Sequence, residues 1–139
     1  MSDMIIGVDL GGTRIRAALL DRKLQIIRRE ETLTHAEEGL ESTLQRIKDL
    51  IHKVLPEDGK PEGIGISAPG PLHPETGVIV APPNLPGWHD VPLGDMVKKE
   101  FDVPVYVGND ANVAALAEVM RGAAEGYSNA IYVTVSTGI

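Results

Sequence analysis

The sequence has no cysteine, one tryptophan, one phenylalanine and three tyrosines. Without cysteine there is no disulfide framework, no thiolate nucleophile and no cysteine-based zinc site, and the chain suits a reducing compartment. Basic residues are also scarce: 13 lysines and arginines against 20 aspartates and glutamates give a net charge of −7. That balance argues against a nucleic-acid partner, whose phosphates call for a basic surface. No run approaches the ~18 apolar residues of a membrane span. The first apolar run, Met4 to Val8, meets Asp9 at once, so no secretory signal is expected. The four histidines (35, 52, 73 and 89) lack metal-ligand spacing. What is there is 139 residues, 42% apolar and 24% charged, suited to one folded domain. The expectation is a soluble cytoplasmic domain with no membrane contact.

Met4 to Val8 reads as a strand that ends in Asp9-Leu10-Gly11-Gly12-Thr13, and Arg14 to Leu20 opens with strand alternation. The glycines therefore join strand to strand in a hairpin. The phosphate loops GxGxxG and GxxxxGK[ST] each run from a strand into a helix, and neither fits. Gly11 and Gly12 let the backbone come close and aim N–H groups at phosphate oxygens, and Thr13 adds a donor. A carboxylate beside such a turn repels phosphate unless a cation intervenes, so Asp9 is expected to hold hydrated Mg²⁺. The same residues also make an ordinary hairpin turn.

Leu24 to Leu33 continues as a third strand, and Thr34-His35-Ala36-Glu37 has the spacing of a capping box. Leu40, Leu44, Ile47, Ile51 and Val54 then form one apolar helical stripe ending before Pro56. Ile64 to Ala68 reads as a buried strand. Gly65 to Pro69 has the outline of a hydrolase elbow, but Pro69 and Gly70-Pro71 bar the helix an elbow needs, so Ser67 is not a nucleophile. Six of ten prolines fall between residues 69 and 87, which makes a stiff loop with one small strand, Val78 to Val80. Asn84 stands near the only tryptophan, either in a surface loop anchored by Trp88 or in the wall of a ligand cleft. Pro92 opens a helix with Leu93, Val97 and Phe101 on one face, and Val103 to Val107 is a strand. Gly108-Asn109-Asp110-Ala111-Asn112 leads into an alanine-rich helix reaching about Ala124, whose small side chains permit close packing. A last strand, Ala130 to Val135, is predicted before Ser136-Thr137-Gly138-Ile139.

Asp110 lies where a strand becomes a helix. It suits an N-cap, and equally a general base kept ionised by the helix N-terminus; Asn109 could fix a substrate hydroxyl. Two strand-end carboxylates, one by a phosphate-type turn and one by an amide, suit phosphoryl transfer to an alcohol.

The motifs Gly7 to Arg16, Ile64 to Pro71, Asn84 to Trp88, Asn109 to Asn112 and Thr134 to Ile139 resemble, in order, those of the ROK family, which contains bacterial glucokinases, related hexose and N-acetylhexosamine kinases, and repressors. The resemblance implies an α/β lobe of the actin-like, ribonuclease-H-like ATPase class, with a mixed central sheet, flanking helices, and ATP and sugar bound between two lobes. It implies Asp110 as catalytic base, Asn109 as a sugar ligand, and Gly70 and Asn84 on the sugar side. Asp9, Gly11, Gly12 and Thr13 would be the first phosphate motif, with Mg²⁺ at Asp9, and Thr137 and Gly138 would begin the second. The family's Glu-x-Gly-His sugar motif, cysteine-rich zinc loop and adenosine segment have no counterpart here, so any structural zinc lies outside this chain. Residues 1–139 therefore read as the N-terminal lobe of a hexose kinase, cut within the second phosphate motif. By itself this lobe is expected to be inactive and to expose apolar surface; the parent is expected to be a homo-oligomer using ATP and a hexose such as glucose. Eight residues precede Asp9, too few for the repressors' helix-turn-helix, which favours the kinase branch over a non-catalytic sugar sensor or regulator.

Overall fold

The computed structural model describes residues 3–57 and 59–135. Strands β1 (Ile5–Leu10) and β2 (Arg14–Leu20) form the expected antiparallel hairpin, and β3 (Ile26–Leu33) pairs antiparallel with β2. Helix α1 (Leu40–Val54) then crosses over to β4 (Ile64–Ala68), which lies parallel to β1 on its other side. Three two-residue strands, β5 (Leu72–His73), β6 (Val78–Ile79) and β7 (Val91–Pro92), make a small antiparallel sheet from the proline-rich segment. Helix α2 (Leu93–Phe101) leads to β8 (Val105–Asn109), parallel to β4, and α3 (Asp110–Arg121) follows at once. The main sheet is thus mixed, in the order β3-β2-β1-β4-β8.

Strand alternation divides this sheet into two unlike faces. Ile6, Val8, Leu10, Ile15, Ala17, Leu19, Ile64 and Ile66 point one way and are buried. They meet Leu44, Ile47, Leu50, Ile51 and Val54 of α1, and the same core takes in Leu93, Val97 and Phe101 of α2. The two helices adjoin, with the His52 ring 4.7 Å from that of Phe101. Ile5, Gly7, Ala18, Leu20, Gly65 and Tyr106 lie on the opposite face. Among the described helices only α3 approaches it, by Val113 near its start, and the result is a concavity of about 960 Å³ lined by those residues together with Asp9, Arg16, Ser67, Gly108 and Val113.

Several sequence expectations change; the proline-rich loop holds β5 besides the one small strand expected at Val78 to Val80, and Pro92 closes β7 instead of opening α2. Thr34 does not cap a helix: its hydroxyl donates to the Gly11 carbonyl at 2.7 Å. A short 3-10 turn, Ala36–Glu38, intervenes, and α1 begins only after Gly39, whose φ of 93° breaks the helical path. The strand placed at Val103 to Val107 runs from Val105 to Asn109 instead, since Pro104 has no N–H and contributes only its carbonyl, to Ile64 N. The alanine-rich helix ends at Arg121 and buries none of its residues. Ala130 to Val135 form no strand; Ile131 is 93% exposed. Their β-branched side chains favour extension, but no strand among the described residues supplies the ladder that would fix it.

Candidate functional site at the carboxyl ends of the parallel strands

β1, β4 and β8 end side by side, and their register aligns Asp9 with Ser67 and Ser67 with Gly108. With strands ~4.8 Å apart, Asp9 and Gly108 are about 10 Å from each other on one sheet edge. Asp110 comes two residues after Gly108 and begins α3. Asp9 lines the open concavity directly. Asp110 does not, but it sits three positions before Val113, on the same helix face, and Val113 lines it. The two acids therefore occupy one edge of the sheet, beside one hollow.

The glycine turn is held from behind. Gly11 N donates to Arg14 O at 2.9 Å and closes the hairpin, while Thr34 binds the turn twice, through its hydroxyl and by its N–H to Thr13 O at 2.8 Å. Thr34 is fully buried, and Arg46 of α1 fixes its carbonyl at 2.9 Å. Thr34 is a site residue that sequence reading misses, because its hydroxyl suits a cap as well as a brace. The N–H groups of Gly12 and Thr13 meet no backbone acceptor among the described residues, so they are free to bind an anion. Asp9 accepts from Arg16 at 3.4 Å, and half of its side chain is exposed.

Two close approaches tie the neighbouring loops to this edge. A Cβ added at Gly12 would fall 2.9 Å from Asn84 Cβ and 3.2 Å from Asn84 O. Asn84, expected on the sugar side, thus lies directly against the phosphate-type turn. Its loop is pinned by buried Leu85 and Trp88, so Trp88 is an anchor. A Cβ at Gly70 would fall 2.8 Å from Asn109 Nδ2, which brings those two candidate residues together. Thr137 and Gly138 lie outside the described residues.

The N-cap of α3 is Asn109, not Asp110. Asn109 Oδ1 accepts from Ala111 N at 3.1 Å and from Asn112 N at 3.4 Å. Its amide nitrogen is left as the only part able to reach a ligand. Asp110 is exposed at the first helical position, with Oδ1 accepting from Ala111 N at 2.8 Å. Its second oxygen has no partner among the described residues.

A mixed sheet with helices packed on one face, and with acids at the carboxyl ends of β1 and β8 on either side of β4, makes this an α/β lobe of the actin-like class. A family model described as "ROK family" matches residues 5–139, and the chain belongs to that family. It is 39% identical, over all of its length, to a glucokinase of Halalkalibacterium halodurans, of which it covers 43%. It is 37% identical over 97% of its length to a xylose repressor of Caldicellulosiruptor bescii, covering 35% of that protein. Its fold matches a ROK family glucokinase from Streptomyces griseus, solved in complex with glucose and AMPPNP, with a TM-score of 0.79 and 32% identity; the match covers 88% of this chain and 38% of that one. The chain spans less than half the length of each of these relatives. No described helix is long and apolar enough to cross a membrane.

Proposed function

We propose that residues 1–139 form the N-terminal, sugar-facing lobe of an ATP-dependent hexose kinase of the glucokinase type. The reading rests on one observation: Asp9, beside a glycine turn whose N–H groups meet no backbone acceptor among the described residues, lines the hollow, and Asp110 is exposed at the head of α3 at the same end of the sheet. In the reaction Asp110 accepts the proton of a sugar hydroxyl as its oxygen forms a bond to the γ-phosphorus of ATP. The bond between that phosphorus and the β–γ bridging oxygen breaks, and ADP leaves. Asn109 Nδ2 and Asn84 are the candidates to hold sugar hydroxyls, with Gly70 giving Asn109 room. Gly11, Gly12 and Thr13 receive phosphate oxygens, joined in this reading by Thr137 and Gly138.

The donor set fits Mg²⁺: a single half-exposed carboxylate beside phosphate-binding N–H groups suits an ion that keeps most of its waters. Asp9 would hold it through water, and the ion would offset the charge of the phosphates. A cytoplasmic setting and a homo-oligomeric parent go with this reading, as does an inactive isolated lobe. The repressor relative supports a second reading, a sugar-sensing regulator of the same ancestry.

A coupled assay on the full-length protein separates the two, because only the kinase makes sugar phosphate. In the kinase, Asp110→Ala lowers turnover by ~10²–10⁴-fold, the worth of general-base catalysis, with hexose binding retained. A near-normal rate for Asp110→Ala would refute its role.

A further inference from the structure

A row of side chains crosses the open sheet face in register, Glu31 of β3 opposite Arg16 of β2 and Arg16 opposite Asp9 of β1. Arg16 faces both acids at once: Nη1 lies 3.4 Å from Asp9 Oδ2, and Nε lies 3.3 Å from Glu31 Oε2. Glu31 is further held by Arg14 at 3.3 Å and by Arg29 at 3.6 Å. Three guanidiniums therefore serve two carboxylates. All five side chains are about half exposed, and ion pairs of that kind add little to stability, so clamping the hairpin does not account for the row. Its position does mark it, because it ends on the carboxylate beside the glycine turn, where a bare negative charge would repel phosphate.

Resting on the kinase reading, we propose that Arg16 is a positioning residue of the phosphate turn. Glu31, steadied by Arg14 and Arg29, keeps the Arg16 guanidinium against Asp9. There it screens that carboxylate and draws a nucleotide's phosphate chain toward Gly12 and Thr13. Arginine suits this place because its planar fork presents two donors to two acids, which a lysine ammonium does not.

The test is equilibrium binding of ATP to the full-length protein, once in excess EDTA and once with Mg²⁺. Arg16→Gln weakens metal-free ATP by about tenfold or more, the worth of a charge-assisted contact. Arg16→Lys recovers only part of that affinity. Arg22→Gln, whose acidic partners are Asp3 and Glu62 and which lies outside the row, stays within about twofold of wild type, as expected for an exposed charge. With Mg²⁺ the Arg16→Gln deficit shrinks, since the ion itself offsets Asp9. Unchanged binding by Arg16→Gln, or equal losses in Arg16→Gln and Arg22→Gln, would overturn the inference and leave the kinase reading standing. A wild-type protein that binds no nucleotide would overturn both. Should Arg16→Gln not fold, a wild-type affinity in Arg16→Lys would overturn the need for the fork.

Discussion

Gly12 and Asn84 meet with no space for one more carbon atom. An alanine at position 12 would put its methyl 2.9 Å from Asn84 Cβ, so either the turn or the proline-stiffened loop must shift. Gly12→Ala is expected to destabilise the fold by about 1–3 kcal/mol, as overpacking generally does. Exchanging the glycine across the contact, in Gly12→Ala with Asn84→Gly, should recover much of that loss. A double-mutant cycle of thermal unfolding reads the recovery directly; strict additivity would show that the two residues do not press on each other. The hairpin at the glycine pair is legible in the sequence because strand alternation resumes directly after it, whereas those residues serve an ordinary turn as well as a phosphate-type one. Asn84's place is not, since nothing in residues 69 to 87 says which side of the edge the loop falls on. The exchange of caps between Asn109 and Asp110 is equally hidden, because adjacent Asn and Asp both cap well and only backbone geometry chooses.

The seam between α1 and α2 carries a charged clasp over its apolar contact. His52 Nε2 lies 3.3 Å from Glu100 Oε1, and Lys48 Nζ lies 3.6 Å from Glu100 Oε2. The hydrogen bond from His52, aided by the Lys48 charge, holds the Glu100 carboxyl below the ordinary range, against a smaller opposing effect of burial. A group depressed in the folded state lends stability above the usual carboxylate pKa and loses it as pH falls through its folded value. Glu100→Gln should therefore melt slightly lower than wild type near neutral pH. The gap should close as pH falls below about 4, where carboxylates protonate in both states. A gap that stays constant with pH would mean that the clasp is not electrostatic. At this scale the sequence is most readable where a period runs unbroken: β4 spans Ile64–Ala68 as the pattern implies, and α2 begins at Leu93, one residue after the expected Pro92, which ends β7. The stripe of α1 is also correct from Leu44 to Val54, with Thr43 and Leu50 added to its buried face and Leu40 only partly buried. Reading fails at Ala130 to Val135, where a strand pattern lacks a neighbouring strand, and at Thr34, where one hydroxyl serves two plausible ends.

For the molecule as a whole, the uncovered sheet face is the unusual feature. Ile26 is 58% and Tyr106 72% exposed there, and α3 adds Leu116 and Met120 at similar levels. Apolar surface of this extent marks an association site. The 139-residue chain is expected to self-associate with rising concentration in sedimentation, and a charge placed at Leu20 should weaken that association. A clean monomer at every concentration would count against it. Exposed apolar surface is what the family resemblance implies, but which face is bare could not be read from the residues, because Gly7, Ala18 and Gly65 have side chains too small to signal either burial or exposure.

The seating of Asn84 on Gly12 carries one more consequence for a kinase built this way. On the proposed roles of these residues, a sugar that moves the asparagine by a few tenths of an ångström must also move the glycine turn that would receive the nucleotide. Each substrate would then alter the grip on the other, and by thermodynamic necessity equally in both directions.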